Sequence, residues 1–100
     1  MPPAESALGV PRRKDGLHVR EIDGETVILD AAGERMHTLN TTAAFIFASI
    51  DGRRTVKDIA EEVARNFEVD AALAESDTRD VVRRFAEEGL VSVGLPVGEG

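Results

Sequence analysis

Apolar residues recur along this chain with two different periods, and the change from one to the other divides it. From residue 17 to residue 39 the period is two. Leu17, Val19 and Ile22 punctuate a first run; Asp23-Gly24 is a strong hairpin signal; Thr26, Val27, Ile28 and Leu29 form a second, β-branched run. A further turn at Ala31-Ala32-Gly33 returns the chain through Arg35, Met36, His37 and Thr38 to Leu39, which predicts a three-stranded antiparallel meander. Pairing in sequence order leaves the third strand with unpaired backbone groups along its outer edge.

Beyond residue 39 the period becomes helical. Ala43, Ala44, Phe45, Ile46, Phe47, Ala48 and Ile50 are apolar almost all the way round, so the helix they form must be covered from several sides. Asn40 is its expected N-cap with Leu39 as the staple residue, and Asp51-Gly52 its expected end. Thr55, with Asp58 three residues on, caps a second helix whose stripe is Val56, Ile59, Ala60, Val63, Ala64 and Phe67. Asp70 caps a third helix reaching about Glu88, with Leu73, Thr78, Val81, Val82 and Phe85 on or beside one face and Gly89 as its stop. Two of the four Phe lie in the first helix and one in each helix after it, which points to one shared core. Leu90, Val91 and Val93 are expected to form a short strand or an extended strap. The fold class is thus α+β and winged-helix-like, a three-stranded antiparallel sheet followed by three helices.

The flanks lack any period. Residues 1–16 hold three Pro, two Gly and the basic run Arg12, Arg13, Lys14, and read as a flexible N-terminal tail; residues 94–100 read as a flexible C-terminal tail, leaving a domain over residues 17–93. A length of 100 residues allows one small core. No run is long and apolar enough for a signal peptide or a membrane span, and the chain has no Cys, so the expected location is the cytoplasm.

Chemistry is sparse. The two His, His18 and His37, fall in expected strands without a third ligand at metal spacing, so no metal or other cofactor is expected. There is no phosphate-binding Gly-rich loop and no G-x-S-x-G, and neither Ser49 nor Ser76 has a His nearby to activate it. The charges of the third helix read as a solvated face with i,i+4 pairs Asp80–Arg84, Arg83–Glu87 and Arg84–Glu88. These residues argue against an enzyme.

Binding remains, in two classes. A winged helix with its third helix in the major groove would be a DNA-binding transcriptional regulator. A net charge of −7, and four acids (Asp77, Asp80, Glu87, Glu88) against three bases (Arg79, Arg83, Arg84) on that helix, speak against nucleic acid as partner. The other class is peptide capture by strand addition to the open sheet edge, with the third helix as an apolar wall. A plainer reading has that edge merely shielded by the tail.

The run GERMHTLNTTAAFIFASIDGRRTVKDIAEEVARNF, followed by DTRDVVRRFAEEGLV, resembles the PqqD family, peptide chaperones of pyrroloquinoline quinone biosynthesis with relatives in other modified-peptide pathways. The likeness covers residues 17–91. Leu39-Asn40 before Thr42-Ala43, Asp51-Gly52 with Thr55-Val56, and Gly89-Leu90 carry it by their order and spacing. The resemblance implies a recognition element that binds the leader of a ribosomally made precursor peptide and presents it to a modifying enzyme, often a radical SAM protein. It implies a groove between third strand and third helix, with Arg35, Met36, His37, Thr38 and Leu39 on the strand and Asp77, Val81, Arg84 and Phe85 on the helix; Val81 and Phe85 serve equally as core. Lasso-peptide members commonly carry aromatic residues in the third strand, where this chain has Met36 and His37.

Overall fold

The computed structural model describes residues 9–30 and 35–93. Five strands and three helices follow in the order β1 (Pro11–Arg13), β2 (His18–Ile22), β3 (Glu25–Leu29), β4 (Met36–Leu39), α1 (Thr41–Ser49), α2 (Val56–Phe67), α3 (Ala71–Glu87) and β5 (Val91–Val93). The expected meander is β2-β3-β4, antiparallel and in sequence order, and the three helices follow it. Its first turn has positive φ at both central residues, 54° at Asp23 and 83° at Gly24, the conformation a two-residue hairpin needs to match strand twist. The second turn, Ala31-Ala32-Gly33, lies outside the described residues, as do residues 1–8 and the expected tail 94–100.

Pro11–Arg13 do not belong to a tail. They pair antiparallel with β5 in a separate two-stranded sheet, Pro11 opposite Val93 and Arg13 opposite Val91, and the Lys14 N–H extends the ladder to Leu90 O at 3.0 Å. Three residues are too few to show a period. Pro11 is fully buried at the first position of its strand, where a missing N–H costs least. Arg13 then closes the C-terminal end of α1: its Nε donates to Ile50 O at 3.2 Å, its Nη2 to Ala48 O at 3.3 Å, and its guanidinium lies 4.7 Å from the centre of the Phe47 ring. A cation there complements the helix dipole and satisfies orphan carbonyls.

Local capping follows the sequence closely. The Asn40 side chain accepts from the Ala43 N–H at 2.8 Å, Thr55 and Asp58 form a reciprocal capping box, and Asp70 accepts from Ala72 and Leu73. At the end of α3, Gly89 takes φ 78° while the Leu90 N–H donates to Phe85 O at 2.9 Å and the Gly89 N–H to Ala86 O at 3.1 Å, a Schellman ending that brings buried Leu90 onto buried Phe85. The first helix ends differently from expectation. Its cap is Ile50 in an extended conformation, which drives that side chain into the core, and the left-handed Gly52 comes two residues later.

Ile28, Ile46, Phe47, Ile59, Val82, Phe85 and Leu90 form the centre of a single core between sheet and helices. The four Phe join the helices edge to face, Phe45 with Phe67 at 5.4 Å and Phe47 with Phe85 at 5.5 Å between ring centres. Two expectations on α3 are corrected. Leu73 is exposed and Ala74 is buried, because the helix is rotated so that Ala74, Thr78, Val82 and Phe85 face inward. Its ion pairs are Arg79–Glu75 at 3.1 Å and Arg83–Asp80 at 3.3 Å, and none of the three expected i,i+4 pairs forms.

Candidate functional site

Which backbone groups of β4 are free follows from register alone. The two-residue turn makes Ile22 and Glu25 a hydrogen-bonded pair, so Glu25, Val27 and Leu29 point their N–H and C=O groups at β2. Thr26 and Ile28, between them, point at β4 and meet Leu39 and His37. An independent bond agrees: the Asp30 N–H donates to Arg35 O at 3.2 Å, in the same phase. Arg35, His37 and Leu39 are therefore turned inward, and Met36 and Thr38 present donors and acceptors to the open edge.

Side chains alternate in the same register. His37 and Leu39 lie on the sheet face that carries Ile28, toward the core, whereas Met36 and Thr38 lie on the outer face. Between the inner side of β4 and α3 runs a groove of about 290 Å³, lined by His37, Thr38, Leu39, Asn40, Ala43, Val81, Arg84, Phe85 and Glu88. Phe85, only 2 % exposed, is its floor and part of the core at once. Val81 is half-buried on the wall. Arg84 is exposed and makes no ion pair among the described residues. Across the groove His37 Nδ1 stands 3.4 Å from Glu88 Oε1, which links strand to helix and leaves His37 Nε2 buried without a partner among the described residues.

The structure thus brings together His37, Thr38, Leu39, Val81, Arg84 and Phe85. It leaves three expected residues outside the lining. Arg35 precedes the strand, Met36 is 65 % exposed on the opposite sheet face, and Asp77 is exposed one helical turn before Val81. Asn40, Ala43 and Glu88 line the groove without having been expected there. Asn40 and Ala43 read as cap and buried helix; Glu88 was signalled by its spacing of four from Arg84 but read as that arginine's partner.

The Ser49 hydroxyl donates to Phe45 O at 2.9 Å within its own helix. No group of three or more His, Cys, Asp or Glu among the described residues is arranged to hold a metal ion. No helix among them is long and apolar enough to cross a membrane.

Comparison with known proteins bears on the family and the fold. The chain is 32% identical over 92 residues to the bifunctional coenzyme PQQ synthesis protein C/D of Methylorubrum extorquens strain AM1, a match over 90% of this chain and 24% of that relative. The chain therefore spans about a quarter of the relative's length. Its fold resembles that of lasso peptide synthetase B1 complexed with the leader peptide, with TM-score 0.74 and 26% identity over 83% of this chain and 98% of the other. It also resembles the solution structure of the PqqD truncation of Methylobacterium extorquens PqqCD, described as a functional and stand-alone recognition element for ribosomally synthesised and post-translationally modified peptides. That match has TM-score 0.67 and 26% identity over 83% of this chain and 88% of the other. The family model for coenzyme PQQ synthesis protein D matches residues 25–91, from the start of β3 to the first residue of β5 and so across the whole groove, and the chain belongs to the PqqD family.

Proposed function

We propose that this chain is a non-catalytic recognition domain that takes the leader of a ribosomally made precursor peptide as an added strand on β4. It presents the peptide to a modifying enzyme, of the radical SAM kind, in the cytoplasm, in pyrroloquinoline quinone or related peptide-derived biosynthesis. One observation carries the reading: the outward backbone groups of Met36 and Thr38 lie along the strand whose inner side opens on Val81, Arg84 and Phe85. An extended peptide hydrogen-bonding there would turn alternate side chains into the groove, gaining affinity from backbone and selectivity from side chains. The alternative of shielding by the tail is not favoured, because residues 11–14 lie along β5 and its approach. Nor is DNA reading, since two of the three Arg on α3, Arg79 and Arg83, are engaged by Glu75 and Asp80, which leaves Arg84 alone against the acids of that helix.

The test is a titration of the labelled protein with a cognate leader peptide, read by amide shifts. Movement concentrated at residues 36–40 and 81–88 is the expected result. Movement confined to α2 and residues 53–54, with β4 and α3 still, sinks the placement. A second measurement checks the non-catalytic reading: a precursor peptide incubated with the purified protein alone should keep its mass, and a change in mass would reveal a missed site.

A further inference from the structure

The basic run that the sequence assigned to a tail becomes part of a surface. Arg12, Arg13 and Lys14, held by the β1–β5 ladder, line an open hollow of about 680 Å³ together with Asp15, Ala48, Ile50, Asp51, Gly52 and Ser92. Arg12 packs against Gly52, where a Cβ would lie 3.4 Å from its Nη1, so strand β1 and the loop after α1 form one continuous face. That loop adds Arg53 and Arg54, both exposed.

Charge is distributed unevenly as a result. Residues 11–15 and 51–54 hold five of the twelve Lys and Arg but only two of the nineteen Asp and Glu, a local excess of three cations. The other seven cations and seventeen acids leave an excess of ten acids elsewhere. Both local acids are accounted for differently. Asp51 turns into its own loop, accepting from the Arg53 and Arg54 N–H groups at 2.9 and 3.0 Å, with Arg54 Nε at 3.7 Å; Asp15 is exposed at the rim. Arg13 is fixed on the carbonyls of α1 and the Phe47 ring, a cation built into the floor. Arg12, Lys14 and Arg53 are exposed and make no ion pair among the described residues.

We propose that this hollow is a docking surface for an acidic, Asp/Glu-rich segment of a protein partner, separate from the peptide groove. Acids elsewhere repel such a segment, so the same charges that hold it at the hollow would also fix its orientation on approach. Position gives the surface its use. The groove is lined at the N-terminal end of α1, by Asn40 and Ala43, and the hollow at the C-terminal end, by Ala48 and Ile50; the helix rise sets the nearest of these, Ala43 and Ala48, roughly 7.5 Å apart along the axis. A partner gripping the hollow stands beside the groove without covering it. Resting on the function proposed above, the partner is the enzyme that modifies the bound peptide.

A hexaglutamate peptide titrated into the labelled chain tests the surface without needing that function to hold. The expected shifts are largest at residues 12–15, 51–54 and 92, exceed those at β4 and from Val81 to Phe85, where Arg84 offers a single cation, and weaken at least several-fold between about 20 and about 200 mM NaCl. The double variant Arg12→Glu/Lys14→Glu abolishes them while keeping the amide dispersion of a folded protein and unchanged affinity for a leader peptide. Arg13 stays untouched, since its side chain is structural. Shifts spread equally over Arg79 and Arg83, absence of response to the peptide, or stronger binding to phosphatidylglycerol vesicles or duplex DNA than to hexaglutamate would each overturn the proposal. In a reconstituted modification reaction, the double variant should lower the rate several-fold with leader affinity preserved. Loss of leader affinity in the double variant would show that hollow and groove are not separate and overturn the proposal, whereas failure of the unaltered chain to bind a leader at residues 36–40 would count against the groove and leave the hexaglutamate result standing.

Discussion

Strands β2 and β4 flank the same central strand, and among the described residues each leaves one side of its backbone unpaired, yet their surroundings differ. All five residues of β2 are exposed, Val19 at 48 % and Ile22 at 52 %. On β4, Leu39 is buried at 8 % and His37 is half-buried against Glu88 of α3. An open ladder therefore does not make a binding site by itself. What distinguishes β4 is the helix wall beside it, which can hold the side chains that an added strand must turn inward. The charged residues Arg20 and Glu21 on β2 have the opposite consequence, since charge along a free edge discourages pairing.

Breaking the strand that both edges share should have the largest effect. Ile28 is fully buried between Val19 and His37, so Ile28→Ala should cost about 2–5 kcal/mol in urea unfolding, against about 0.5 kcal/mol for Val19→Ala on the exposed strand. A loss at Ile28 no larger than at Val19 would mean that the sheet is not anchored through its centre.

The next comparison uses proline on each edge. Thr38 and Val19 both point their N–H groups outward in the register derived from the hairpin, so neither Thr38→Pro nor Val19→Pro removes a ladder bond. Leader affinity should fall about tenfold for Thr38→Pro, the equivalent of one good hydrogen bond, and stay unchanged for Val19→Pro. Equal loss in both variants, measured by calorimetric titration, would erase the distinction between the two edges. His37→Pro should instead damage the sheet, because that N–H faces β3.

Charge in the groove gives a smaller effect. Arg84→Glu reverses the unpaired cation beside Val81, and should weaken an acidic leader several-fold while changing a neutral one little. A uniform change for both would assign Arg84 a packing role.

The smallest effect serves as a control away from both edges. The Asp51 carboxyl is held below its ordinary value by the backbone N–H groups of Arg53 and Arg54, and further by the Arg54 guanidinium. Because its folded-state pKa is depressed, the ionised carboxylate supports the loop at all pH above its unfolded value, and that support is lost as pH falls through the lowered value. The amides of Arg53 and Arg54 should shift together on acidification to below the usual carboxylate range. Those of Val19 and Thr38 should not follow that transition, and Asp51→Asn should remove it.

Much of the fold was legible because it depends on partners a few residues apart. The caps at Asn40, Thr55 with Asp58, and Asp70, the Asp23-Gly24 turn and the Gly89 ending all close hydrogen bonds within one turn of chain, and the residue types needed for them are few. Periodic stripes likewise placed the helices, since burying one side of α2 requires apolar residues at fixed spacing. The groove was legible in outline from a strand edge, a helix face and a family likeness.

Tertiary structure decided the rest, wherever the deciding partner is far along the chain or the choice is between near-equal neighbours. Pro11–Arg13 become a strand only because β5, some eighty residues later, offers a ladder that a three-residue run cannot announce. Whether Leu73 or Ala74 faces the core is a rotation of one residue, set chiefly by the packing of α3 along α2. Glu88 had Arg84 in reach on its own helix, and stands instead 3.4 Å from His37 of β4. On an exposed helix surface an i,i+4 pair is worth only a few tenths of a kcal/mol, too little to keep an acid from a side chain that folding brings beside it.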